Sequence, residues 1–329
     1  MTRTQRPFLL IVAQLLAMAV VASASGQYQP ADPKASPQVR AMLNYLKQQS
    51  GKGFVSGQTD LKDTVWIREN TGKLPAILGL DFHRAPKRAG HETGDTAVAI
   101  DWFKNKHGLV TYQWHWSAPG AKDIGSGFYS KDNPFDLSLA LKDPKSDDYR
   151  ALIADIDDVA AELKKMSDAH VPGLFRPLHE AQGGWFWWGS RGPESCTKLY
   201  DIIFDRITKT HNLHNIAWVW VAYPESQQKG DPKAWYPGDN KVDIVASDYC
   251  EKKQDFDDLV KLTNDRKMVA LAETMNAPDP DRLLADIPWA YWVTWARRDW
   301  HSESDDDMKR AMSREKTITI DKLPEVTKW

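Results

Sequence analysis

An α/β fold closed as a single (β/α)8 barrel, a TIM barrel, is expected for this 329-residue chain. Short β-branched or aromatic runs recur along it, helical stretches lie between several of them, and no Pro/Gly/Ser-rich linker divides them into two domains. With 42% hydrophobic residues the chain can bury a core of that size. A doubly wound open sheet is the alternative. It would more comfortably bind a nucleotide, yet no G-x-G-x-x-G or G-x-x-x-x-G-K-[ST] follows any run.

In chain order, residues 1–24 read as a signal peptide: Arg3 and Arg6, an apolar stretch over 8–22, then small residues ending at Ser23 and Ala24. The stretch falls short of the ~20 residues that span a bilayer. Cleavage after Ala24 and a secreted or periplasmic mature chain without a membrane anchor are therefore expected. Residues 25–37 are polar and Pro-rich, a flexible lead-in, and 38–329 form the barrel domain. Its strand candidates are 53–58, 75–81, 109–115, 173–180, 215–221, 242–248, 268–273 and 291–296. The clearest helix is 148–169, where Leu152, Ile153, Ile156, Val159, Ala160 and Leu163 recur at helical spacing; Leu199, Ile202, Ile203 and Ile207 form a second stripe.

Composition excludes several classes. Lys and Arg total 43 against 45 Asp and Glu, without the basic surplus that nucleic-acid binding demands. Cys196 and Cys250 are too few for a disulfide scaffold and form no C-x-x-C; whether they pair is open. His83, His91, His115 and His179 stand near strand ends, but no H-x-H or H-E-x-x-H occurs, so neither metal nor cofactor is expected. A monomer is expected.

Barrel chemistry sits at the carboxyl ends of the strands. The runs there close on Gln58, Asp81, Trp114-His115-Trp116, His179-Glu180, Trp218 and Trp220, Asp248-Tyr249, Glu273 and 292–295. Of the 15 Trp, ten (114, 116, 185, 187, 188, 218, 220, 292, 295 and 300) gather there and are expected to line a cleft. Indole faces stack on the C–H faces of pyranose rings, although any single Trp is as readily core packing. Glu180 and Glu273 close the fourth and seventh runs. Glycoside cleavage needs such a pair, one carboxyl protonated and one ionised, about 5 to 5.5 Å apart in retaining enzymes.

Residues 176–189, R-P-L-H-E-A-Q-G-G-W-F-W-W-G, resemble glycoside hydrolase family 26, whose members are mostly endo-β-1,4-mannanases. That family carries His, as at His179, where related barrel glycosidases carry Asn before the acid/base Glu. The resemblance extends from G-F-V-S-G-Q at 53–58 through W-H-W at 114–116 to W-V-T-W at 292–295. It implies retaining hydrolysis of β-mannan, with Glu180 as acid/base and Glu273 as nucleophile. Tyr249 would hydrogen-bond the nucleophile and Trp185 would form a sugar-stacking wall. His115, Trp116, His179 and Trp295 would complete the substrate site. Strict strand alternation puts His179 and Glu180 on opposite faces, so a local kink is expected if both reach substrate. Ala181-Gln182 and Met275 depart from the family's more typical Met-Asn and Gly, beside the cleft. The alternatives are the same machinery acting on β-1,3-xylan or mixed-linkage β-glucan, and a non-catalytic sugar-binding barrel.

Overall fold

The computed structural model describes residues 27–222, 231–249, 252–299 and 304–329. The signal peptide expected at 1–24, Cys250 and Trp300 lie outside the described residues. The first strand candidate splits in two. β1 (Phe54–Val55) pairs with the short Thr317–Ile318 strand near the C-terminus, and the chain enters the barrel only at β2 (Gly57–Thr59). Gly57 permits this step, because a Cβ there would lie 2.8 Å from the Trp292 carbonyl oxygen and from Val293 Cγ2. The expected barrel then follows: β3 (Ile77–Asp81), β4 (Leu109–Gln113), β5 (Gly173–Arg176), β6 (Ile216–Ala222), β7 (Ile244–Asp248), β8 (Met268–Thr274) and β9 (Trp292–Thr294). All pairs are parallel, and β9 closes on β2 at Gln58 and Thr294. The Thr317–Ile318 strand is β10.

The outer layer comprises α1 (Pro37–Gln49), α2 (Leu61–Thr71), α3 (Gly94–Lys106), the short α4 (Leu137–Ala140), α5 (Asp147–Asp168), α6 (Pro193–Asp205), α7 (Lys253–Leu262), α8 (Pro280–Asp286) and α9 (Ser304–Ser313). In α5, the Ser146 hydroxyl caps the Tyr149 N–H at 3.1 Å, and Asp147 and Asp148 meet the positive helix end. Its apolar stripe buries Leu152, Ile156, Val159, Ala160 and Leu163 on the sheet. Each large side chain among them contributes ~1.5–3 kcal/mol by burial. Trp218 packs outward, its ring 4.8 Å from that of Phe204 on α6, so it joins sheet to helix and does not line a cleft.

Residues 27–36, expected to be flexible, make specific contacts across the barrel's N-terminal end. The Tyr28 hydroxyl donates to the Asp243 carbonyl, the Ala31 N–H gives the Asp243 carboxylate a 2.6 Å bond, and Asp32 meets His214 Nδ1 at 2.6 Å. Among the described residues no helix is long and apolar enough to cross a membrane.

Candidate active site at the carboxyl ends of the strands

The site is built by interruptions of the strands. β5 stops at Arg176, four residues before the expected end, and the chain turns with Leu178 and Glu180 at φ of 56° and 53°. Left-handed backbone at such residues costs ~1–3 kcal/mol each and persists where the surroundings enforce it. This is the kink expected at His179-Glu180. Glycines beyond it are equally constrained: a Cβ on Gly183 would strike the Trp185 indole, and one on Gly189 would lie 1.9 Å from the Ala181 carbonyl oxygen. β8 carries an extra residue against β7, so that Asp248 faces Glu273 where regular register would give Ala272. A bulge of this kind re-aims a side chain at a strand end.

Arg176 is the hub. Buried at 4% exposure, it gives 2.6 Å bonds to Glu273 Oε2 and Asp248 Oδ2 and a further bond to Gln113. The Tyr249 hydroxyl donates to the other Glu273 oxygen, and the Tyr249 N–H gives the Glu273 carbonyl a 2.7 Å bond. Glu273 is thus held on both oxygens. Glu180 is treated differently. Its carboxylate accepts the Trp185 indole N–H at 2.9 Å. Burial, with the negative charge of Glu273 second, lifts its pKa to about 7, against the opposing pull of Arg176 and the indole. Burial also pushes Asp248 well above the carboxylate range despite Arg176.

Asp81 and His115 meet beside this centre, with Asp81 Oδ2 2.6 Å from His115 Nδ1. The His115 ring packs against His179, Phe128, Phe186 and Trp295. His179 is buried beneath Phe186 and Trp188, and burial holds it neutral, well below its usual range. His83 Nδ1 bonds the His115 carbonyl at 2.6 Å and His91 Nδ1 the Ala85 carbonyl at 3.1 Å.

The tryptophans require a correction. Trp114, Trp116, Trp187, Trp188, Trp218, Trp220 and Trp292 are all buried, and only Trp185 and Trp295 among the described members of the expected cleft lining keep a partly exposed face. Trp116, expected to touch substrate, stacks on Trp114 at 4.0 Å and gives its indole N–H to Asp155 of α5 at 2.6 Å. Its carbonyl takes the Trp187 indole. These rings form a packed aromatic core behind Trp185 and Trp295, which keep a partly exposed face. Sequence reasoning assigned no role to Arg176, Asp248 or Gln113. A charge closing an otherwise apolar strand, as Arg176 and Asp248 do, was the available signal.

A cavity of about 860 Å³ lies elsewhere, between residues 231–240 and α7. Neither glutamate lines it, so the paired carboxyls and not cavity size locate the site.

A closed parallel barrel with two unlike carboxyls at its strand ends defines the class of barrel glycoside hydrolases. The chain belongs to glycosyl hydrolase family 26, whose family model matches residues 31–322. It is similar to the mannan endo-1,4-beta-mannosidase of Thermothelomyces thermophilus, 35% identical over 312 residues that cover 89% of this chain and 62% of that protein. Among solved structures it is similar to the Podospora anserina GH26-CBM35 beta-(1,4)-mannanase, with a TM-score of 0.81 and 32% identity, covering 90% of this chain and 69% of that one. The beta-mannanase from a symbiotic protist of the termite Reticulitermes speratus, complexed with gluco-manno-oligosaccharide, gives 0.80 and 29% over 90% of this chain and 97% of that one. The chain spans 62% and 50% of the lengths of two curated relatives, from Thermothelomyces thermophilus and Piromyces sp.

Proposed function

We propose that this chain is a secreted retaining endo-β-1,4-mannanase, one barrel domain over 38–329 behind a leader at 1–24. The observation that carries the mechanism is the asymmetry of the two carboxyls. Glu273 is held by Arg176 and Tyr249, whereas Glu180 is buried, accepts the Trp185 indole N–H and has a pKa of about 7. Glu273 attacks the anomeric carbon as Glu180 gives its proton to the departing oxygen, leaving a glycosyl-enzyme ester. Glu180, now ionised, takes a proton from the water that displaces Glu273 and regenerates both groups. Trp185 and Trp295 offer the stacking faces, and the relatives named as mannanases support β-mannan as the polymer.

Product profiling on mannan, galactomannan, xylan and lichenan tests the reading. Oligosaccharides from β-mannan are expected; release from xylan or lichenan alone reassigns the polymer, and release from none of the four removes the hydrolase. Glu273→Ala should abolish turnover while keeping the fold. Glu180→Ala should spare substrates with an activated leaving group, and equal loss on these and on polysaccharide would argue against its role as acid.

A further inference from the structure

Asp81 has no part in the two-glutamate scheme, yet it collects four donors at the mouth of the barrel. Its Oδ1 accepts the backbone N–H groups of His83 at 2.9 Å and His115 at 3.0 Å. Its Oδ2 accepts the Gln113 amide at 3.1 Å and faces His115 Nδ1 at 2.6 Å. A carboxylate only accepts, so this contact puts a proton on Nδ1. The ring is also packed on its faces and edges, with centroids 4.7 Å from His179, 4.9 Å from Phe128 and 5.8 Å from both Phe186 and Trp295. What remains is Nε2. It has no hydrogen-bond partner among the described residues, and the side chain is 15% exposed.

We propose that Asp81 is a positioning residue: its carboxylate fixes the His115 ring through the Nδ1 bond and its charge favours the imidazolium, so that Nε2 donates to a hydroxyl of the sugar bound at the Glu180–Glu273 pair. This rests on the glycosidase reading for its effect on turnover, but the ionic dyad does not depend on it. The charged and titratable groups facing His115 are Asp81 on β3, Glu273 on β8, Arg176 on β5, Glu180 in the turn after β5, and the rings of His83 and His179 in the adjoining loops. Burial opposes the imidazolium, as does Arg176. Asp81 and Glu273 outweigh them and hold His115 above its usual range. Burial likewise opposes the Asp81 charge, but His115 outweighs it and holds that carboxyl at about 2. Asparagine at 81 would remove the charge that favours the cation and free the ring to adopt the other tautomer.

Nitrogen-15 NMR of the histidine-labelled full-length protein reads the ring directly. In the wild type both His115 nitrogens should carry protons at neutral pH, and Asp81→Asn should lower the His115 titration by about one pH unit or more. On β-mannan the same substitution should lower kcat/KM roughly 10- to 100-fold, the scale of one charge-assisted hydrogen bond. It should also move the basic limb of the pH profile downward, because the His115 cation is then lost at lower pH. Because Asp81 acts through His115, Asp81→Asn should cost nothing further in a His115→Gln background. A neutral His115 in the wild type, or losses that multiply in the double variant, would overturn the proposal. Failure of the mannanase reading looks different: a protein inactive on every β-mannan whose His115 titrates as stated keeps the dyad and loses only the assigned reaction.

Discussion

Replacing Trp185 with Phe removes one hydrogen-bond donor from Glu180 and keeps an aromatic ring on the cleft wall. The indole N–H lies 2.9 Å from Glu180 Oε2 and favours the ionised carboxyl, opposing the burial and the Glu273 charge that raise the group to about 7. A hydrogen bond to a charged group contributes ~1.5–3 kcal/mol, and one pKa unit is about 1.36 kcal/mol. Complete loss would thus lift Glu180 by about 1–2 units. Trp185 is partly exposed and water replaces some of the lost bond, so about 0.5–1 unit is expected. The sign follows from the role. As the proposed acid, Glu180 must be protonated to release the leaving group, so a higher pKa carries the active form to higher pH and the basic limb of kcat/KM moves upward. Initial rates on soluble mannan across the pH range measure it. A basic limb that stays in place or moves downward would refute either Glu180 as the acid or the indole as the group that tunes it.

Other perturbations follow the same contacts. Arg176→Met leaves Asp248 and Glu273 buried without their cation, at a cost of ~3–5 kcal/mol. The loss should deepen as pH rises through the raised pKa of Asp248, so thermal unfolding that shifts equally at acid and neutral pH would contradict this account. Asp155→Ala unhooks Trp116 and Arg88, which itself holds the carbonyls of Ser117 and Ala118. It should cost ~2–4 kcal/mol by leaving a half-buried cation without its carboxylate and a buried indole unpaired, and an unchanged melting temperature would show that α5 does not brace these aromatic rings. Gly189→Ala drives a methyl into the Ala181 carbonyl and must shift the turn carrying Glu180, costing ~1–3 kcal/mol and at least tenfold in kcat, as initial rates and melting would show. Burial, with the Asp32 charge adding, lifts Asp243 to about 6. Its stabilising share is full below the unfolded carboxyl value and lost as pH rises through about 6. Trimming residues 27–36 should flatten that slope in pH-dependent melting curves, and an unchanged slope would mean that these residues do not bury Asp243.

The barrel was legible because most strands after β2 are largely apolar runs buried on both faces, and α5 and α6 keep a 3.6-residue stripe. Neither pattern depends on distant partners. Glu180 and Glu273 were legible for a related reason: acids that close apolar runs fall on the carboxyl rim once the runs become barrel strands. The split of 53–58 was not, since it depends on β10 arriving from the far end of the chain to pair with Phe54 and Val55. Nor was the burial of the tryptophans. Trp116 and Trp185 are both aromatic residues beyond a strand, and only the position of Asp155 on α5 separates the one that braces the wall from the one that keeps an exposed face.

Local pattern therefore determined the class of fold, the rim on which the proposed chemistry sits and the two glutamates that close runs there, because each is written in periodicity or in a short contiguous motif. Tertiary structure decided how those acids differ. Arg176, Asp248, Tyr249 and Glu273 come from β5, β7, the turn after it and β8, and the extra residue in β8 sets Asp248 opposite Glu273. A carboxyl's charge depends on what burial and neighbouring charges do within a few ångströms of it, and those neighbours are brought together only when the barrel closes.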